Sequence, residues 1–198
     1  MQDDLKNFFQ PTNVAIIGAS SNPNKLSYAI VKNLSQYGFQ GKIYPVNPNA
    51  NILLNFPCYK TISEVPEKVD LAVIVIPAEM IADELTRCGE NGVKACIIIS
   101  GGFKEIGEVG KQRELELEQI RQRYGMRIMG PNCVGNLHVY SGLNTTFYKG
   151  IPAKGGIGFV SQSGAVCGGI VDHVVNEGIG FSHLLSLGNE MDVNETDV

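Results

Sequence analysis

Val14-Ala15-Ile16-Ile17-Gly18-Ala19-Ser20-Ser21-Asn22-Pro23 joins an unbroken apolar run to a glycine and a cluster of turn formers. Apolar residues without polar alternation, closed by Gly, Ser, Asn and Pro, predict a short strand buried on both faces. Strands of that kind belong to parallel sheets covered by helices on each side. A helical pattern follows: Ala29, Ile30, Leu34 and Tyr37 recur at helix spacing, and Gly38 stops it.

The same rhythm repeats downstream. Residues 43–46 form a second predicted strand ending in Asn47-Pro48-Asn49, and Pro45 within it implies a strand end or a sheet edge. Residues 71–76 are a third strand, ended by Pro77. An amphipathic helix over 78–90 then carries Ile81, Leu85 and Cys88 on one face. A fourth strand at 95–99 closes in Ser100-Gly101-Gly102-Phe103. A charged helix over about 109–124 has Leu115, Ile120 and Tyr124 on one side. A fifth strand, 127–129, leads into Gly130-Pro131-Asn132-Cys133-Val134-Gly135. Alternating strands and helices with right-handed crossovers predict an α/β fold, a Rossmann-like doubly wound parallel sheet. Ligands of such sheets bind at the carboxyl ends of the strands, where these Gly, Ser, Asn and Pro loops gather.

Residues 137–155 break the rhythm, with irregular or short strands at 137–139 and 143–147. A second unit then reads as strand 157–160, turn Ser161-Gln162-Ser163-Gly164, helix 165–177 and strand 181–187. The expected division is a first domain over 1–150 and an incomplete second one over 151–198. A lone β-α-β unit leaves apolar surface uncovered, so association as a homo- or hetero-oligomer is expected. Residues 195–198 read as the start of a helix cut short.

Composition narrows the function. The net charge is −4 and there is no basic run, so a duplex nucleic acid finds no electrostatic footprint. The apolar runs are too short to cross a bilayer, and Met1-Gln2-Asp3-Asp4 carries acids where a signal peptide needs bases. These features predict a cytoplasmic protein without membrane contact. Cysteines 58, 88, 96, 133 and 167 are scattered, with no CxxC pair and no metal-ligand spacing, which predicts reduced thiols and no metal site.

The first candidate site is Gly18-Ala19-Ser20-Ser21 with Lys25. A glycine after the first strand allows close backbone approach, and the next helix points free N–H groups and its positive end at an anion. A nicotinamide site uses G-x-G-x-x-G and an acid at the end of the second strand. This chain has neither, since Gly18 lacks the later glycines and the strand ends in Asn47-Pro48. The absent acid suits a ribose bearing a phosphate, as in coenzyme A (CoA) or NADP, and the residues alone leave both open. Ser161, Gln162, Ser163 and Gly164 precede the second-unit helix. Taken alone, they read as an ordinary N-cap. His138, His173 and His183 lie in no catalytic pattern and read as structural or surface residues. Glu105 and Glu108 read as a solvated helix start.

The ordered set resembles one family. Residues 14–20, Gly41-Lys42-Ile43-Tyr44-Pro45-Val46-Asn47-Pro48, 69–78, Ile97-Ile98-Ile99-Ser100-Gly101-Gly102-Phe103, 130–135, Phe159-Val160-Ser161-Gln162-Ser163-Gly164-Ala165 and 186–193 resemble the CoA-binding N-terminal region of ADP-forming acyl-CoA synthetases. The α subunit of succinyl-CoA synthetase is a more distant relative. The resemblance implies that the second unit begins a flavodoxin-like domain. It implies a ligase joining an acid, acetate or another short acid, to CoA with ATP. The route runs through an acyl phosphate and a phosphohistidine, with ATP/ADP and Mg held in an ATP-grasp domain or subunit.

By position, Gly18, Ala19, Ser20 and Ser21 would face the CoA phosphates, while Asn47, Pro48, Ile76, Pro77, Ile99, Ser100 and Gly101 would line the nucleotide and pantetheine path. Asn132 and Gly135 would lie near the thioester. The helix at Ser163-Gly164 would steady the phosphohistidine, which is expected beyond Val198, so no catalytic residue is expected in this chain. Many relatives carry a lysine just after the Asn-Pro, where this chain has Asn49-Ala50; Lys25 or Lys42 would compensate. The alternatives are a ligase-like regulatory region of a protein lysine acetyltransferase, an NAD(P)-binding Rossmann protein and a non-catalytic CoA-binding module.

Overall fold

The computed structural model describes residues 5–198; the acidic start at 1–4 lies outside them. Helix α1 (Lys6–Phe9) leads into β1 (Asn13–Ile17), α2 (Leu26–Gln36) and β2 (Lys42–Val46). A small hairpin, β3 (Ile52–Leu53) and β4 (Phe56–Pro57), precedes β5 (Leu71–Ile74), α3 (Ile81–Glu90) and β6 (Ala95–Ile98). Helix α4 (Glu108–Tyr124) and β7 (Arg127–Met129) complete the first sheet. Then come β8 (Gly135–His138), β9 (Leu143–Asn144), β10 (Ala153–Ser161), α5 (Gly164–Glu177) and β11 (Gly180–Ser186).

The first sheet has the order β2-β1-β5-β6-β7, and every pairing is parallel. Its strands alternate cleanly between two cores. Val14, Ile16, Leu71, Val73, Ala95 and Ile97 face α1 and α2. Their neighbours Ala15, Ile17, Ala72, Ile74, Cys96 and Ile98 face α3 and α4. This period of two explains the unbroken apolar runs, because both faces need apolar residues. Each fully buried Ile or Val contributes about 1.5–3 kcal/mol over an exposed one. Pro45 sits on β2, the edge strand, where its absent N–H costs no ladder bond; its carbonyl accepts Tyr59 N–H at 3.0 Å.

Two readings change. On α4 the buried residues are Gly110 and Leu117, with Ile120 and Tyr124 packed beside them, while Leu115 points outward. Residues 195–197 form a turn in which Asn194 Oδ1 accepts Thr196 N–H at 2.9 Å and Asp197 accepts Asn194 N–H at 3.1 Å, the capping pattern of a helix N-terminus. The larger change concerns 135–144. These residues leave the first sheet and join a second one, ordered β10-β11-β8-β9, in which β11 runs parallel to β10 and antiparallel to β8. The second sheet therefore draws strands from both sides of residue 150. Its core is Leu137, Val139, Cys167, Val171, Val174, Phe181 and Leu184, closed by α5. Ile157, Val160, Val166, Val175 and Ile179 remain exposed, the uncovered apolar surface expected of this unit.

Two buried asparagines tie the parts together. Asn33 of α2 donates to the carbonyls of Thr146 (2.7 Å) and Tyr148 (2.9 Å). Asn136 of β8 donates to the carbonyl of Phe8.

Candidate functional site

The chain order reverses direction at β1. From β1 it steps outward to β2, then returns across β1 to β5, β6 and β7. The loops leaving β1 and β5 therefore diverge, and a crevice opens at their carboxyl ends. Gly18 lies at that point with φ +85°. A Cβ there would overlap the carbonyl oxygen of Val75 and lie 2.6 Å from Ile76 Cγ2. The demand for glycine thus comes first from the backbone of the β5 exit. Beyond it, Ala19 is buried, Ser20 is half-buried and Ser21 is exposed. Ser20 Oγ accepts Asn22 N–H (3.1 Å) and Asn22 Oδ1 accepts Asn24 N–H (3.0 Å), so the loop turns on its own side chains. Lys25 occupies the N-cap position of α2 in an extended conformation and supplies no side-chain cap. The first-turn amides of α2 thus end beside an exposed lysine, a combination that fits a phosphate.

Asn47 joins the loops after β1 and β2. Its Nδ2 donates to Ala19 O (2.6 Å) and its Oδ1 accepts Asn49 N–H (2.8 Å), so this side chain is already engaged. Ser100 Oγ likewise donates to Ile76 O (2.6 Å), fastening the β6 exit to the β5 exit. Glu105 differs from its expected role as a solvated helix start. Its carboxylate accepts the N–H groups of Gly102 (2.5 Å) and Phe103 (3.1 Å) and the Asn189 amide (2.7 Å). Burial works to raise its pKa, but these donors prevail and hold it below the ordinary glutamate value. The Gly102 turn therefore holds its own internal anion.

A cleft of about 700–800 Å³ lies between the mouth of the first sheet and the start of α5 (750 Å³). It gathers Ile99, Ser100, Gly101 and Asn132 from the first sheet with Gln162, Ser163 and Gly164 from the second unit. Asn132 is exposed in a left-handed conformation (φ +57°), and its amide reaches Asn189 Oδ1 at 3.3 Å. Ser163 caps α5 by accepting Val166 N–H at 3.3 Å, and Gln162 donates to Glu190 at 2.5 Å. A Cβ on Gly164 would overlap the Val134 side chain, so the start of α5 packs closely on Val134. The positive end of α5 thus opens on the cleft.

Gly18, Ala19, Ser20, Ser21, Lys25, Asn47, Pro48, Ile76 and Pro77 lie outside the cleft lining, on the loops after β1, β2 and β5 along the same sheet mouth. Two expected residues lie elsewhere: Ser161 ends β10, its Oγ accepting Ser163 N–H at 3.1 Å, and the other is Gly135. It is buried at the start of β8, where a Cβ would stand 2.8 Å from Thr145 O, so packing accounts for it. Sequence reasoning missed Leu26, Val134, Phe147 and Tyr148, which line the cleft wall. No local pattern marks them as site residues, because 143–147 reads as a short strand.

The other reactive groups lie elsewhere. Cys88, Cys96, Cys133 and Cys167 are buried free thiols and Cys58 is partly buried. Burial pushes the Cys133 thiol up to about 12, leaving it inert as a nucleophile. Among the described residues no group of three or more His, Cys, Asp or Glu is placed to hold a metal ion, and no helix is long and apolar enough to cross a membrane. His138 and His183 stack at 4.2 Å on paired positions of β8 and β11, and His173 is exposed on α5.

A doubly wound sheet with a phosphate-suited turn at its switch point and a helix-capped cleft beside it is a nucleotide-type binding fold. Residues 12–139 match the family described as CoA binding domain, and residues 154–198 match the succinyl-CoA ligase like flavodoxin domain. The chain belongs to the CoA-binding domain family and continues into the first part of the flavodoxin-like domain. It is 46% identical to the α subunit of acetate–CoA ligase [ADP-forming] II of Pyrococcus furiosus, covering 98% of this chain and 42% of that one. It is 40% identical to 4-hydroxybutyrate–CoA ligase [ADP-forming] of Nitrosopumilus maritimus, covering 95% of this chain and 27% of that one. Among solved structures, the dinucleotide-forming acetyl-coenzyme A synthetase 1 of Candidatus Korarchaeum cryptofilum, in complex with phosphate and ADP, superposes with a TM-score of 0.94. It is 41% identical, covering 100% of this chain and 42% of that one. The chain spans less than half the length of each of these relatives.

Proposed function

We propose that this chain is the CoA-binding portion of an ADP-forming acyl-CoA ligase. The whole protein converts an acid, CoA and ATP to acyl-CoA, ADP and phosphate, through an acyl phosphate and a phosphohistidine carried outside these 198 residues. An ATP-grasp domain or subunit supplies the nucleotide and Mg. The observation that carries this reading is the continuity of the sheet mouth with the cleft at α5, in a chain whose residues 12–139 match CoA-binding domains.

In this reading the turn at Gly18, Ala19, Ser20 and Ser21, with the start of α2 and Lys25, holds the phosphates of CoA. Backbone amides do most of that work, since the loop side chains of Ser20, Asn22 and Asn47 already have partners. Pro48, Ile76 and Pro77 flank the nucleotide, and Ile99, Ser100 and Gly101 guide the pantetheine arm. Asn132 stands at the thioester end. The positive end of α5 faces the same point and stabilises negative charge on a phosphoryl or acyl-phosphate oxygen. CoA supplies the thiol that receives the acyl group; this chain orients it and places a helix dipole beside it.

Calorimetry separates this reading from a nicotinamide-binding one. CoA titrated into the purified chain gives a saturable one-to-one heat, dephospho-CoA binds more weakly and NADPH gives none. No heat with CoA at millimolar concentration, or NADPH binding as tightly as CoA, refutes it.

A further inference from the structure

The cleft at α5 has a wall that the CoA-binding assignment does not use. Leu26, Val134, Phe147 and Tyr148 line it together with Asn132 and Gly164. None of the residues lining this cleft is charged. The wall is also held rigidly. Asn33, buried on α2, clamps the carbonyls of Thr146 and Tyr148 at 2.7 and 2.9 Å. The Tyr148 hydroxyl donates to the carbonyl of Gly164, and its ring passes so close to α5 that a Cβ on Gly168 would lie 3.0 Å from it. Phe147 leans on that ring with centroids 5.6 Å apart and packs against the core beneath the first sheet. Its position is thus set by α2, α5 and the first sheet together.

We propose that Phe147 and Tyr148, with Leu26 and Val134, form the subsite for the acyl chain, and that Phe147 limits its length. The proposal rests on the CoA-ligase reading. A thioester whose sulfur stands near Asn132 and whose carbonyl faces the start of α5 has its acyl chain directed into the same cleft. The walls there are aromatic and aliphatic, so they favour a hydrocarbon chain by contact and desolvation. A second carboxylate would be desolvated against them without a cationic partner. The substrate class is therefore a short monocarboxylic acid with an uncharged chain, and a dicarboxylic acid is rejected. Tyr148 acts as a positioning residue, because its hydroxyl is spent on Gly164.

Binding of acyl-CoA thioesters to this chain tests the proposal by calorimetry. Hydrophobic pockets discriminate a methylene by about 10-fold or more. Butyryl-CoA is expected to bind at least about fivefold more tightly than CoA, and succinyl-CoA at least about tenfold more weakly than butyryl-CoA. Phe147→Ala is expected to improve phenylacetyl-CoA relative to acetyl-CoA by about tenfold while leaving CoA itself within about twofold. Phe147→Leu gives a smaller shift in the same direction and serves if the alanine variant melts early. Thioesters binding no better than CoA, succinyl-CoA matching butyryl-CoA, or unchanged thioester preference in both variants would overturn the subsite while leaving CoA binding intact. A chain that binds neither CoA nor any thioester overturns the ligase reading, and this inference falls with it.

Discussion

Replacing Gly18 by alanine tests the close contact at the exit of β1. Gly18 has φ +85°, a conformation that costs an L-residue about 1 kcal/mol. The new methyl would also meet the Val75 carbonyl oxygen and stand 2.6 Å from Ile76 Cγ2. Overpacking of this kind costs about 1–3 kcal/mol when the neighbour is backbone in a rigid sheet. The sum is about 2–4 kcal/mol, a large share of a domain's stability. For a chain of 198 residues that is a drop in melting temperature of roughly 4–16 °C. Thermal denaturation by far-UV circular dichroism, with urea unfolding beside it, reads the effect directly. The urea midpoint should fall while the slope stays constant. A variant that melts within 1 °C of the parent refutes the claim that the β5 backbone, before any ligand, requires glycine at this position.

Two further outcomes follow from the same geometry. Ser163→Ala removes the cap of α5 and should cost about 1 kcal/mol; an unchanged melting curve would mean that the 3.3 Å bond to Val166 carries no weight. The stacked pair His138 and His183 makes stability depend on pH. Burial lowers both pKa values, and the charge of His183 lowers that of His138 further. The unfolded chain therefore binds protons more readily, so this stability is complete above about pH 6.5 and is lost as pH falls through the lower folded values. Urea midpoints at pH 7.5 and 5.5 should differ more in the parent than in His183→Phe, and equal differences in both would rule the pair out as the source.

The apolar runs at 14–17, 71–74 and 95–98 were legible because strands buried on both faces need no polar alternation, and each run is closed by turn formers and followed by a helical pattern. The face of α3 was legible for a related reason: Ile81, Leu85 and Cys88 repeat at helix spacing against charged neighbours. On α4 the same reasoning misplaced Leu115, since that helix is charged nearly all round and two leucines compete for one buried stripe. In the candidate site, the loops themselves were readable from their glycines, serines and prolines. The state of their side chains was not. That Asn47 is spent on Ala19, or that Glu105 fills the Gly102 turn, depends on partners brought together by folding.

Residue order alone determined the doubly wound sheet, the clustering of its loops at one edge and the likeness to CoA-binding domains. The first two follow from short-range periodicity and from residue types that act on their own backbone; the likeness rests on the ordered set of motifs that the chain shares with that family. The tertiary structure alone decided that β8 leaves the first sheet to pair with β11, bringing His138 beside His183, 45 residues later in the chain. It alone decided that Phe147 and Tyr148 line one cleft together with Asn132. Pairing and clefts of that kind join segments far apart in the chain, and the local pattern of either segment is the same whichever partner it finds.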